Sequence, residues 1–303
     1  MVRRSAVWEC LGVVLVVVFS LSAQAKGTLS KHVTTWKGLT RYYAIYRPKT
    51  LAASPSLVLF LNATSENDAD DPPYFFTPLW QKLADQYGFV IAWPISSYNP
   101  TYKDWYWDCY ETDSTFAVAP DDTGFLRWLI TSLQSQYRIS SAQTYVTGMS
   151  SGAFMAHRAG TDLSDIVAAV APVSGMIDIH PIGQNFDPPQ PAFPVSVYEL
   201  HGDEDTEVPY CGGTGWYWGK LHDQQPSIDD SVSFWVSADS CAKRSTTKPL
   251  CTDGQPTEIN FEMATSCSGG AAVIFEREPG VGHVWVDGTE SKGWNFFRSH
   301  PRK

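Results

Sequence analysis

The strongest constraint on this chain is a pair of short runs that are apolar without alternation: Ser56–Leu61 (SLVLFL) and Phe89–Trp93 (FVIAW). A strand with one wet face alternates apolar and polar residues. A run that is apolar nearly throughout belongs to a strand covered on both faces. Helix signals lie between and after these runs. Thr77-Pro78 reads as an N-cap followed by proline at the first helical position, then an apolar stripe of Leu79, Trp80, Leu83, Ala84 and Tyr87, ended by Gly88. Asp121 or Asp122 caps a second helix carrying Phe125, Leu126, Leu129, Ile130 and Leu133, and Ser227 caps another with Val232, Phe234 and Trp235. Thr40–Tyr46 alternates like an outer strand, and further strands are expected at 144–147, 167–173, 195–200, 259–263 and 271–275. Buried strands alternating with helices specify an α/β fold, a mostly parallel central sheet with helices on both faces. Functional loops then gather at the strand C-terminal ends.

Residues 1–25 carry a different signal. Arg3 and Arg4 precede a short apolar core, Leu11–Leu21, and Ala23-Gln24-Ala25 offers small residues at the positions a signal peptidase reads. The segment is expected to be a secretory signal, leaving 26–303 as a single catalytic domain, a secreted protein with no membrane attachment after cleavage. Cys10 goes with the signal, and the five cysteines that remain can form disulfides in an exported compartment, with one left over. No Cys-x-x-Cys or His-Glu-x-x-His occurs, so neither a metal nor another cofactor is expected. The formal charge of −10 disfavours a nucleic-acid partner.

Gly148-Met149-Ser150-Ser151-Gly152 lies between the β-prone Thr144–Thr147 and a helix-compatible run at 152–160. Small residues on both sides of Ser150 suit a sharp strand–turn–helix that lifts its hydroxyl above the sheet. A hydroxyl needs a base, and the base an orienting carboxylate, which on such an elbow follow in the order acid then base. After Ser150, the 195–200 strand runs into His201-Gly202-Asp203-Glu204-Asp205, leaving three candidate acids. Downstream histidines are His222, in a polar loop close behind, His300, in a tail expected to fray, and His283, in a glycine-rich turn after a strand. Order and elimination select His283 and leave Asp203, Glu204 and Asp205 open.

HGDEDTEVPY, GMSSG, APVSG (171–175), DDTGFL (121–126) and GHVW (282–285) together resemble the secreted polyhydroxybutyrate depolymerase/feruloyl esterase-type family of α/β-hydrolases, which also includes acetylxylan esterases. The resemblance spans roughly 41–288. It implies an α/β-hydrolase fold and a serine esterase. It also implies Asp205 as the acid, with Asp203 and Glu204 as surface residues, and a Cys241–Cys267 bridge. Cys211, Cys251 and Cys109 are left open, with Cys211–Cys251 as one possible pairing. The family usually has Leu-His-Gly-Cys after the third central strand, where this chain has Leu61-Asn62-Ala63-Thr64. By position the oxyanion donors are the backbone N–H groups of Ser151 and Thr64. Asn62 is also part of a glycosylation sequon, and is expected to be buried and unmodified.

Aromatic residues, 12 Trp, 14 Tyr and 15 Phe, crowd the same loops: Trp105-Tyr106-Trp107, Tyr210, Trp216 to Trp218 and Trp285. Their rings suit a ring-bearing ligand, with Tyr210 and Trp285 as substrate-binding candidates. The expected partner is an ester substrate, hydroxycinnamoyl esters of plant cell-wall polysaccharide first and polyhydroxybutyrate or another polyester second. A reading from another class is a non-catalytic, aromatic-rich carbohydrate-binding protein on a hydrolase scaffold.

Overall fold

A computed structural model describes residues 26–65, 67–74, 78–109, 115–116, 118–177, 188–217 and 220–303, with the side chains of 216–224 excepted. The proposed signal segment, Thr77 and Trp218 lie outside the described residues, as do the side chains of Trp216, Tyr217 and His222.

One ten-stranded sheet runs through the molecule. Its strands are β1 (Thr28–Trp36), β2 (Leu39–Arg47), β3 (Leu57–Leu61), β4 (Val90–Pro94), β5 (Thr144–Met149), β6 (Ala169–Val173), β7 (Ser196–Gly202), β8 (Lys243–Arg244), β9 (Phe261–Thr265) and β10 (Val273–Glu278). Their order across the sheet is β1-β2-β4-β3-β5-β6-β7-β10-β9-β8. The six central strands, β4 to β10 in that order, are parallel, and the strands at each margin are antiparallel. Every residue of β3, β4 and β6 is buried, which is why their sequences lack alternation.

The helices α1 (Pro78–Tyr87), α2 (Asp122–Tyr137), α3 (Ser151–Asp162), α4 (Ile228–Ala238) and α5 (Thr289–Ser299) cover both faces. Alternate residues of each strand feed opposite cores. Leu57, Leu59 and Leu61 of β3 join Phe125, Leu129, Met155 and Trp235 from α2, α3 and α4. Val58 and Phe60 join Trp80, Leu83, Trp294 and Phe297 from α1 and α5.

Local capping matches the residue chemistry. Asp121 is the N-cap of α2 and its side chain accepts from Gly124 N. Ser227 caps α4 in a reciprocal pair with Asp230. Three expectations need correction. His300 is not in a frayed tail: α5 runs to Ser299, and its Trp294, Phe296 and Phe297 are buried in the core. The backbone at His222 is not loop but part of a two-stranded ribbon, Gly213–Tyr217 with Lys220–Gln225. Strand β1, whose outer face is largely exposed, was not expected at all.

Candidate active site

Ser150 sits between β5 and α3 with φ 55° and ψ −123°, a conformation that L-residues rarely adopt. The surroundings over-determine it. Ser150 N donates to Val173 O, and Ser150 O accepts from Ala153 N and Phe154 N. A Cβ on Gly152 would lie 2.4 Å from Leu61 O, and one on Gly148 would lie 2.5 Å from Gly152 O. Both glycines are therefore demanded by the close approach of α3 to β3. Ser151 opens α3, so its N–H is one of the helix's first donors, where the helix dipole favours negative charge.

The loop after β3 carries Asn62, Ala63 and Thr64. Asn62 is 2% exposed. Its Nδ2 donates to Ala63 O and to Ser96 Oγ, both at 2.8 Å, and its Oδ1 accepts from Ser96 N at 2.9 Å. Trp107 Nε1 donates to Asn62 O at 3.0 Å, and Ser65 exchanges two backbone hydrogen bonds with Trp105. The Leu-Asn-Ala-Thr loop is thus clamped by an amide and an indole.

Asp205 and His283 come from neighbouring strands. The loop after β7 carries Asp205, and the loop between β10 and α5 carries His283. Their backbones touch closely: a Cβ on Gly202 would meet Val281 O at 2.2 Å, and Glu204 N donates to Val281 O. His283 Nδ1 is 2.7 Å from Asp205 Oδ2. Asp205 Oδ1 accepts from the N–H groups of Glu207 and Val208, both at 2.9 Å. Oδ2 is also 3.3 Å from His201 Nε2. Burial alone would push the Asp205 carboxyl up, but the hydrogen bonds from His201 and His283 hold it well below the usual carboxylate range. Burial would push the His283 imidazole down, yet its hydrogen bond to Asp205 and the charges of Asp205 and Glu207 raise it above its ordinary value.

The structure therefore joins two of the three residues. Among the described residues no hydrogen bond links Ser150 Oγ to His283, and His283 Nε2 lies 3.8 Å from Oε2 of the half-exposed Glu207.

Other candidates are placed differently from expectation. Asp203 is not a surface acid: it accepts from Gly280 N at 2.7 Å and lies 3.5 Å from Arg277, bracing the His283 loop. Glu204 is exposed. Tyr210 is 2% exposed and packs between His201 and Phe275, so no ligand surface includes it. Trp285 is half-buried, edge-on to Phe60. Trp105, Tyr106 and Trp107 are buried: Trp105 and Trp107 brace the loop after β3, and Tyr106 accepts from Asn99 Nδ2, rather than offering faces to a ligand. Cys241–Cys267 and Cys211–Cys251 are disulfides, and Cys109 remains a buried thiol whose Sγ is 3.6 Å from Ser151 O. Sequence reasoning missed His201; it expected Asn62 to be buried, as it is, and it placed Trp107 by the site without its bond to Asn62 O. His201 heads the same HGDED string as Asp205, which was the available signal for it. The described residues hold no cluster of His, Cys, Asp and Glu able to bind a metal ion.

Residues 41–181 match the model of the esterase PHB depolymerase family, a span that contains Ser150 but stops before Asp205 and His283. The probable acetylxylan esterase A of Aspergillus terreus is 31% identical over 114 residues, 38% of this chain and 35% of that protein. Feruloyl esterase B of Piromyces equi is 26% identical over 225 residues, 72% of this chain and 37% of that protein. The chain thus spans about a third of the length of these curated relatives. Among solved structures, an acetyl xylan esterase from Aspergillus awamori superposes with a TM-score of 0.53 at 19% identity, covering 88% of this chain and 99% of that one. That likeness makes the fold that of the α/β-hydrolases.

Proposed function

We propose that this chain, which belongs to the polyhydroxybutyrate depolymerase/feruloyl esterase-type family of α/β-hydrolases, is an exported serine esterase that cleaves carboxylic esters of plant cell-wall polysaccharide. The observation that carries this reading is Ser150 in its strained elbow on the same sheet end as the buried Asp205–His283 pair. In the mechanism, His283 Nε2 takes the Ser150 proton as Oγ attacks the ester carbonyl. The N–H groups of Ser151 and Thr64 receive the oxyanion. Asp205 holds the imidazole's orientation and balances its charge. The alcohol leaves with the proton from His283, and water, activated by the same base, releases the acid from the acyl-enzyme. The two disulfides suit an exported protein.

For the acyl group, the proposal keeps hydroxycinnamoyl esters, supported by the feruloyl esterase relative and by Trp285 two residues past His283. Trp105 and Trp107 are buried and offer no face to a ring-bearing ligand, which leaves Trp285 as the aromatic candidate for it among the described residues. Acetyl esters are the rival, favoured by the acetylxylan esterase relatives. The test is kcat/KM on methyl ferulate, acetylated xylan and hydroxybutyrate oligomers, with Ser150→Ala alongside. The proposal expects highest activity on ferulate and none from Ser150→Ala. Equal rates for wild type and Ser150→Ala would sink the esterase reading and leave the non-catalytic binding protein.

A further inference from the structure

We propose that His201 is a positioning residue for ester cleavage, a second imidazole on Asp205 Oδ2 that fixes the carboxylate for His283; the inference rests on the esterase reading above. His201 is the penultimate residue of β7 and is 1% exposed. Its Nε2 is 2.8 Å from Val208 O and 3.3 Å from Asp205 Oδ2. A carbonyl only accepts, so the proton sits on Nε2 and is donated to Val208 O, with Asp205 Oδ2 close beside the same N–H. Nδ1 is buried with no hydrogen-bond partner, which favours the same tautomer. Tyr210 lies edge-on to the ring, with centroids 6.1 Å apart, and closes its outer side.

The other bonds to Asp205 do not perform this task. Oδ1 is held by the N–H groups of Glu207 and Val208, two and three residues ahead, so those bonds fasten the carboxylate to its own loop. His201 fastens the far half of that loop, through Val208 O, and the carboxylate, through Oδ2, to a strand of the central sheet. The donor type also fits. A Lys or Arg here would neutralise the charge that the His283 imidazolium needs in the transition state. A neutral N–H orients the oxygen and leaves most of that charge for His283. The titratable groups recorded against the two rings are Asp205 for both, Tyr210 for His201 and Glu207 for His283. Arg277, in register with His201 on β10, is engaged by Asp203, Asn260 and Thr257.

The experiment compares wild type, Ser150→Ala, His201→Gln, His201→Asn and His201→Phe on p-nitrophenyl acetate, with kcat and KM measured separately across pH and the thermal midpoint of each variant recorded. Gln reaches Nε2 through the same number of bonds from Cβ as His and can serve both oxygens, so it should keep kcat within about twofold, since its N–H donors replace the lost one. Asn is too short and Phe has no donor. Both should lower kcat about tenfold with KM little changed, the scale for losing a hydrogen bond to a charged group. Both should also move the acid limb of kcat/KM to higher pH, because Oδ2 then shares its charge with His283 alone. Wild-type kcat and an unmoved acid limb in folded Asn or Phe variants would overturn the proposal. So would a Gln variant as impaired as Phe with the acid limb unmoved, which is the mark of a merely structural role. If Ser150→Ala keeps the full rate, it is the esterase reading that fails.

Discussion

Replacing Asp239 with Asn tests a charge buried at the root of the acid-bearing strand. Asp239 ends α4 and is fully buried. Its Oδ1 accepts from Val195 N at 3.1 Å, just before β7 begins, while Oδ2 is buried with no hydrogen-bond partner. Burial pushes this carboxyl up from 3.8 to about 7, against the one backbone hydrogen bond that lowers it. The sign follows from proton counting. Between those values the folded protein keeps a proton that the unfolded chain has released, so stability falls as pH rises from about 4 to about 7 and then levels. At about 1.4 kcal/mol per unit, the loss is on the order of 4 kcal/mol. For a chain of this size that is roughly 8 °C in thermal midpoint. The raised His283 adds a decline of the same sign, and the depressed Asp205 acts oppositely at lower pH, so the difference between wild type and variant isolates Asp239. The assay is urea unfolding of wild type and Asp239→Asn at half-unit steps from pH 4 to 8. The Asn variant should show a slope flatter by about 1 kcal/mol per unit between about pH 4 and 7, with the two slopes converging above that. Its constant offset reports the unsatisfied amide and carries no information about ionisation. Parallel curves for the two proteins would refute the reasoning.

Three further outcomes are expected. Gly152→Ala drives a Cβ to 2.4 Å from Leu61 O, so α3 must retreat from β3. Stability should fall by about 1–3 kcal/mol in urea titration, and kcat more than KM should suffer because Ser150 and Ser151 N–H ride on that turn. Asn62→Ala strips the partners from the buried Ser96 and loosens the loop bearing Thr64. It should cost about 2–4 kcal/mol in the same titration and lower kcat, and an unchanged kcat would remove Thr64 N–H from the oxyanion site. Glu207→Gln removes a negative charge 3.8 Å from His283 Nε2, so the acid limb of kcat/KM, expected above the free imidazole's range, should move down in a pH–rate profile.

The sheet was legible because burial on both faces writes itself into consecutive residues: SLVLFL and FVIAW admit no wet side. The elbow was legible because Gly148 and Gly152 answer a steric demand that is local to five residues. The residues around Asp205 were less so. The motif brought Asp203, Glu204 and Asp205 within three positions, and only the path of the His283 loop separates their roles: Asp203 braces Gly280, and Asp205 meets the ring. The aromatic loops misled for a related reason. Whether Trp107 faces a ligand or Asn62 O depends on β4 and β3 being neighbours, which local sequence does not encode. Helix α5 was readable in principle, since Thr289, Glu290, Gly293, Trp294, Phe296 and Phe297 make a helical stripe of buried positions. Its place next to the C-terminus hid it.

The strand order also explains why the site is tight at one joint and open at another. Asp205 and His283 follow β7 and β10, adjacent parallel strands whose loops are pressed together at Gly202 and Val281. Strand spacing then delivers the two side chains within hydrogen-bond range with little help from the loops. Ser150 follows β5, and β6 intervenes before β7. His283 follows β10, one strand further on, so the gap from β5 is three strand spacings, roughly 14 Å, and must be crossed by the reach of the His283 loop. That loop is therefore where catalytic geometry is most exposed to change. Besides Trp285 packed on Phe60, the contacts that hold it include Asp203 on Gly280 N, Glu204 N on Val281 O, and Asp205 on the ring itself, these three from the single loop after β7. Any force that displaces the β7 loop displaces the base as well as the acid. A residue that pins that loop to the sheet, as His201 does through Val208 O, then governs both members of the pair at once.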